Sequence, residues 1–174
     1  MREKQNKVES FIGIISDTHG LVRPEAVDAL RGVNLILHAG DVGSSRVLEA
    51  LKCLAPVVAV RGNNDKGEWA EELPQREVVE VGGVHIYMVH NVKEIDLSPA
   101  AAGLRVVISG HSHKPTVEER KGVLYLNPGS AGPRRFSLPV SVARLRVDGK
   151  TVIAELVELS VRRTPKKTRR LTPR

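Results

Sequence analysis

An α/β domain with two mixed or adjoining β-sheets and helices outside is what this sequence predicts, on three observations. The first half alternates continuous apolar runs with amphipathic segments, the order of a βαβαβ unit. The second half changes to short strands joined by two-residue turn signals. At 174 residues the chain has room for one domain with a substantial core.

Residues 11–16 form a continuous apolar run and read as a buried strand. Pro24 suits the first turn of a helix with Ala26, Val27 and Leu30 on one face and Gly32 as its stop. Residues 33–38 give the second strand. Ser44 or Ser45 caps a helix whose Val47, Leu48, Leu51 and Leu54 make an apolar stripe, ended by Pro56. Residues 57–60 are the third strand. After a polar segment around Trp69 the reading turns to antiparallel β, with Arg76–Val81 and Val84–Val89 flanking the hairpin signal Gly82-Gly83. A short Ala-rich helix at 98–102 leads to a strand at 105–109. Further strands fall at Thr116–Arg120, 123–126, 140–147 and 151–159, the last two joined by Asp148-Gly149.

Composition narrows the function classes. Aromatics are only 3% of residues, so Val, Leu, Ile and Ala must fill the core. No apolar run approaches the roughly 20 residues that span a bilayer. Residues 1–9 are a polar extension without the apolar stretch of a secretory signal. The single cysteine, Cys53, has no partner for an internal disulfide and is expected to be buried in its helix. A cytoplasmic location is the expectation, with no membrane partner. The net charge of +7 is concentrated at one end: residues 162–174 hold seven cations and no acid, leaving 20 of the 27 basic residues to balance 20 acids. That tail reads as disordered, outside a single domain of residues 10–161, and nucleic acid is a possible partner through it.

Five clusters fall where apolar strands give out: Asp17-Thr18-His19, Gly40-Asp41, Gly62-Asn63-Asn64-Asp65, His90 and Gly110-His111-Ser112-His113. Any one of them alone is an ordinary turn. Together they offer two carboxylates, four imidazoles and an amide at strand ends, where α/β sheets gather ligands. That set can hold two divalent ions sharing one carboxylate, the device that clamps the attacking and leaving oxygens of a displacement at phosphorus. Pairs two residues apart, such as Asp17/His19 and His111/His113, would face the same way on an extended chain. Mixed imidazole and carboxylate donors suit Mn²⁺, Ni²⁺, Fe²⁺ or Zn²⁺ better than Ca²⁺ or Mg²⁺. His85 alternates outward as a surface histidine, and His38, inside an apolar strand, takes a core role or one supporting the ligands rather than ligation.

With Ser16-Asp17-Thr18-His19-Gly20, His38-Ala39-Gly40-Asp41, Arg61-Gly62-Asn63-Asn64-Asp65, His90, Gly110-His111-Ser112-His113 and Asn127-Pro128-Gly129-Ser130 in place, the chain resembles the calcineurin-like metallophosphoesterases. Within them it is similar to the small YfcE-type phosphodiesterases. The resemblance spans roughly residues 10–160. It implies a four-layer αββα sandwich, two mixed β-sheets flanked by helices. It also implies one ion held by Asp17, His19, Asp41 and His113, and a second by Asp41, Asn63, His90 and His111, with Asp41 bridging. The expected activity is phosphodiester hydrolysis on a small-molecule substrate by a hydroxide shared between two ions, Mn²⁺ foremost.

The chain departs from that pattern at two places. Many relatives carry a proton-donating His, or in the YfcE-type branch often a Cys, where this chain has Asn64. An amide can bind substrate but cannot protonate a leaving group near neutral pH, a role worth about 10²–10⁴-fold. Esters with acidic leaving groups are therefore the expected substrates, with Asn64 and Asp65 as the candidate catalytic pair. The second departure is Met88-Val89-His90-Asn91, where Asn91 joins Asn64 as a candidate substrate contact. Arg134 and Arg135 are further cations available to phosphate. A non-catalytic scaffold of the same fold, as in the retromer subunit of this superfamily, is the competing reading, and a homo-oligomer is possible in either case.

Overall fold

A computed structural model describes residues 9–161 of the chain. The basic tail and all but the last residue of the polar extension lie outside the described residues. β1 (Ser10–Ile15), α1 (Pro24–Ala29), β2 (Leu35–His38), α2 (Ser45–Lys52) and β3 (Val57–Ala59) follow in the predicted order. β1, β2 and β3 are parallel neighbours, as crossovers through helices require. Ser44 caps α2 by accepting the Arg46 N–H at 3.3 Å, while Val47 and Leu51 bury the stripe. Position 53 lies off that stripe, so Cys53 is exposed, contrary to the expected burial.

The second half begins with a one-turn helix α3 (Glu68–Glu71) in the segment read only as polar. β4 (Arg76–Val81) and β5 (Val84–Val89) form the predicted hairpin, with Gly82 and Gly83 at φ +58° and +81°, the left-handed pair of a type I′ turn. A 3₁₀ turn at Val92–Glu94 precedes β6 (Val106–Ile108), β7 (Thr116–Arg120), β8 (Val123–Asn127), β9 (Ser141–Asp148) and β10 (Thr151–Glu158). The expected helix at 98–102 is instead a set of turns. Its one Ala102 N–H to Ser98 O bond is not propagated, and Gly103 at φ +73° ends the winding. Five residues, with Pro99 the second of them, are too few to nucleate a helix.

Two five-stranded sheets result, ordered β10-β9-β1-β2-β3 and β4-β5-β6-β8-β7. Both are mixed, as predicted. The second is less antiparallel than the sequence suggested: β4–β5 and β7–β8 are hairpins, but β5, β6 and β8 run parallel. β9 crosses back to pair antiparallel with β1.

Three apolar layers explain the stacking. Ile12, Ile14 and Leu37 of the first sheet meet Ile86, Met88 and Ile108 of the second in a central core. The alternate residues Ile15 and Ile36 turn outward against Leu30, Val47 and Leu51 of the helical side. On the opposite face Tyr87, Val89 and Val107 pack with Leu104 and Ile95 of the connecting turns. The arrangement is the α/β sandwich expected, with turns rather than long helices over the second sheet. No helix among the described residues is long and apolar enough to cross a membrane.

Candidate functional site

Every predicted cluster sits just beyond the carboxyl end of a parallel strand. Asp17, Asp41 and Asn63 follow β1, β2 and β3, while His90 and the His111/His113 pair follow β5 and β6. Parallel neighbours present their carboxyl ends to one rim, and the stacked sheets bring two such rims together.

The local backbone differs from expectation. Asp17, His19, Asp41, His111 and His113 all have positive φ, between +47° and +65°, so the His/Asp pairs are not extended. Only two other non-glycine residues among those described share this conformation, Lys121 and Phe136. Left-handed backbone at five non-glycine positions carries strain of order 1–3 kcal/mol each and persists only where packing enforces it, and such strain collects at functional sites. Enforcement is visible at Gly62 and Gly110. A Cβ at Gly62 would collide with the Asp41 backbone and carboxylate, and one at Gly110 with the Ser16 hydroxyl.

The seven predicted side chains come together. His113 Nε2 lies 3.2 Å from Asp17 Oδ1, and His19 Nε2 lies 3.5 Å from His113 Nε2. Asp41 Oδ2 is 3.9 Å from His19 Nε2 and 3.5 Å from His90 Nε2. Asn63 Oδ1 is 3.1 Å from His90 Nε2 and 3.0 Å from His111 Nδ1. The atoms of Asp17, His19 and His113 lie within 4.8 Å of one another, as do those of Asp17, Asp41 and His90.

By proximity Asp17 is common to both groups, whereas the resemblance makes Asp41 the shared ligand. Their near neighbours differ. Asp17 Oδ2 accepts from Ser16 Oγ (2.7 Å) and the His111 N–H (3.1 Å), and its Oδ1 lies 3.2 Å from His113 Nε2. Asp41 Oδ2 faces a histidine of each expected set, His19 and His90. Asp41 is thus the shared group that the resemblance implies, and Asp17 the one that proximity alone gives.

The donor set suits cations. Asp17 Oδ1 is a buried carboxylate oxygen without a hydrogen-bond partner. The His90 Nδ1–H donates to the Ala39 carbonyl at 2.8 Å, which turns the other ring nitrogen's lone pair toward the oxygens of Asn63 and Asp41. Lone pairs facing lone pairs need a proton or a metal ion between them. The charges respond accordingly. Burial works against the ionised Asp41, but hydrogen bonds from His90 and Asn64 outweigh it and hold the carboxyl well below the usual range. Burial likewise opposes the His90 cation, yet Asp41 and the Ala39 carbonyl raise its pKa. His19 is lowered by burial, with Arg135 and His113 adding to it against Asp41 and Asp17.

The other candidates are placed differently. Asn64 donates its backbone N–H to Asp41 Oδ1 at 2.8 Å and its Nδ2–H to Oδ2 at 2.6 Å, clamping that carboxylate. Asp65 is buried, accepting the Gly43 N–H and the Gly62 N–H at 2.8 Å each, so it ties the second and third loops together. Asn91 Oδ1 accepts the Lys93 N–H at 3.1 Å, capping the 3₁₀ turn. Arg135 is close enough for its charge to be felt at His19. Residues whose roles the sequence left unspecified also frame the site. Asn127 Nδ2 donates to Gly110 O (2.7 Å) and Ser112 Oγ (3.1 Å), and Ser130 Oγ donates to Asp17 O (2.9 Å). Their signal was the Asn127-Pro128-Gly129-Ser130 turn, one of the motifs that carry the resemblance.

His38 supports the site from within the core. The Gly40 N–H donates to its Nδ1 at 3.2 Å, so its Nε2–H donates to Thr18 Oγ1 at 2.9 Å, and Thr18 in turn donates to Val42 O at 2.9 Å. Protonation of Nδ1 would break this relay, and complete burial pushes its pKa from 6.5 to about 4. A proton bound by the unfolded but not the folded chain lowers stability as pH falls. His38 should therefore withdraw about 3 kcal/mol between pH 6.5 and 4. Urea unfolding of metal-free protein across that window, compared with His38→Gln, should show the pH slope shallower in the variant; equal slopes would contradict this.

Comparison with known proteins agrees with this geometry. Residues 11–150 match the Calcineurin-like phosphoesterase superfamily domain. A probable metallophosphoesterase of Methanothermobacter thermautotrophicus is 39% identical over 159 residues, 84% of this chain and 91% of that protein. Phosphodiesterase YfcE of Escherichia coli is 28% identical over 123 residues, 63% of this chain and 64% of that one. Among solved structures, Vacuolar Protein Sorting 29 of Cryptosporidium parvum superposes with a TM-score of 0.74 at 23% identity, over 87% of this chain and 92% of that one, a likeness of fold. The chain belongs to the calcineurin-like phosphoesterase superfamily, in the branch that contains the YfcE phosphodiesterase.

Proposed function

We propose that this protein is a metal-dependent phosphodiesterase acting on a small-molecule diester. The observation that carries the reading is the convergence of seven ligand-type side chains, five of them on left-handed backbone, with facing lone pairs. In this reading Asp17, His19, Asp41 and His113 hold one divalent ion and Asp41, Asn63, His90 and His111 a second, with Mn²⁺ preferred to Ni²⁺, Fe²⁺ or Zn²⁺. Such ions, when bound, supply Lewis acidity to the phosphoryl group and hydroxide at neutral pH.

The chain's own residues then do the positioning. Asn64 fixes both oxygens of Asp41 and keeps it ionised. The Ala39 carbonyl sets the ring of His90, and Ser16 with the His111 N–H sets Asp17. Asp65 acts by holding the Gly43 and Gly62 loops rather than by touching substrate. Asn91 keeps its amide nitrogen available for substrate while its oxygen caps the turn. The Asn64 amide cannot donate a proton to the leaving group, so aryl esters should be hydrolysed and alkyl esters poorly.

Asn64→His is expected to raise activity on alkyl relative to aryl diesters by about a hundredfold, the lower end of general acid catalysis. Rates across a series of leaving groups measure it, and an unchanged ratio would remove Asn64 as the reason for leaving-group dependence. The primary test is hydrolysis of bis(p-nitrophenyl) phosphate, expected with Mn²⁺ or Ni²⁺ and absent in chelator.

The scaffold reading has two observations behind it: the likeness of fold to Vacuolar Protein Sorting 29 and the amide at position 64. It predicts no turnover with any of these ions. A nucleic-acid-directed activity would rest on residues 162–174, which lie outside the described residues.

A further inference from the structure

Beside the cluster, an open cleft of about 420 Å³ is lined by Asn63 and His90 of the cluster and by Arg61, Lys66, Gln75 and Glu94. We infer that this cleft takes a second anionic group of the substrate, a phosphate carried on one arm of the diester, with Arg61 and Lys66 as its recognition residues. The inference rests on the phosphodiesterase reading and adds the substrate's second charge to it.

Arginines that serve the fold are engaged: Arg23 donates to Gly132 O, Arg76 to Asp96, Arg144 to Ala29 O and Arg146 to Glu9. Arg61 is half-buried, yet among the described residues its guanidinium forms no hydrogen bond or ion pair, and neither does the Lys66 ammonium. The Arg61 backbone is fixed at the end of β3, its N–H donating to Pro74 O at 2.8 Å, so the side chain starts from a set position. Of the two acids on the lining, Asp65 has its oxygens on the Gly43 and Gly62 amides, which leaves Glu94 at the exposed rim.

An unpaired guanidinium with a neighbouring ammonium and the Gln75 amide is a donor set for phosphate, which arginine grips with two parallel bonds. Arg61 is also two positions before Asn63, so the cleft begins where a diester held at the cluster would extend its arm.

The test compares two substrates with Mn²⁺-loaded full-length protein: a p-nitrophenyl diester of thymidine, and the same diester with a second phosphate on the far hydroxyl. The wild type should prefer the phosphorylated diester by about tenfold or more in kcat/KM, through KM, and Arg61→Ala and Lys66→Ala should bring the ratio close to one. No preference in the wild type would overturn the inference. So would equal losses on both substrates in Arg61→Ala, which would place Arg61 on the scissile phosphate. Calorimetric titration of inorganic phosphate into chelator-treated protein gives a readout independent of turnover. Binding weakened by Arg61→Ala upholds the cleft even if neither diester is hydrolysed, a result that would count against the hydrolase reading alone. Binding unaffected by Arg61→Ala overturns the cleft.

Discussion

Asp41→Ala should reduce metal-dependent hydrolysis of bis(p-nitrophenyl) phosphate by more than about a thousandfold, the largest effect of any single substitution in the site. Asp41 Oδ2 faces His19 and His90 from one position, and both carboxylate oxygens accept from Asn64. Removing the carboxylate takes a ligand from each expected ion at once. It also leaves the Asn64 N–H and Nδ2–H without their acceptor. His113→Ala or Asn63→Ala removes one ligand from one proposed ion, so each should leave more residual activity than Asp41→Ala. Far-ultraviolet circular dichroism should show the fold retained in Asp41→Ala, because its partners lie in loops rather than in the central core. Activity within tenfold of wild type would refute the shared-ligand assignment.

A large effect of a different kind is expected at Asp65. Its carboxylate is 6% exposed and accepts the backbone N–H groups of Gly43 and Gly62. Asp65→Ala would leave two amides without a partner, at roughly 1–3 kcal/mol each. For a domain of this size that is a Tm lower by on the order of 10 °C in chelator. The same change should loosen metal binding, because Gly62 and Asp41 approach so closely that no Cβ fits between them. If Asp65 were instead a catalytic group, its removal would lower kcat while leaving Tm in place. Differential scanning calorimetry beside a kinetic assay separates the two.

The local signals in the sequence translated well. Gly82-Gly83 announced its hairpin because two adjacent left-handed residues have few other uses, and the Ser44-Ser45 pair announced the start of α2, where the Ser44 hydroxyl has an orphan amide to accept. Sheet order was less legible. The return of β9 to β1 and the parallel run β5-β6-β8 depend on which strand edge is free, a property of the whole chain. The turns at 98–102 and the exposed Cys53 show composition overruled, first by segment length and then by helix phase.

The site was legible in its residue types and order, since chemistry fixes which atoms can gather at a cation. Its backbone was not. An extended Asp-x-His pair was the simplest way to aim two side chains together, and the chain instead uses left-handed residues held by Gly62 and Gly110. The division of labour between Asn64 and Asp65 was also hidden, because a carboxylate beside a metal-site amide looks the same in sequence whether it faces substrate or loop amides.

The most direct measurement is elemental analysis of protein reconstituted with Mn²⁺ and freed of loose metal, alongside Asp41→Ala. Close to two ions per wild-type chain, falling sharply in the variant, is the result this account predicts. Metal at trace level in both, with an intact fold, would contradict it.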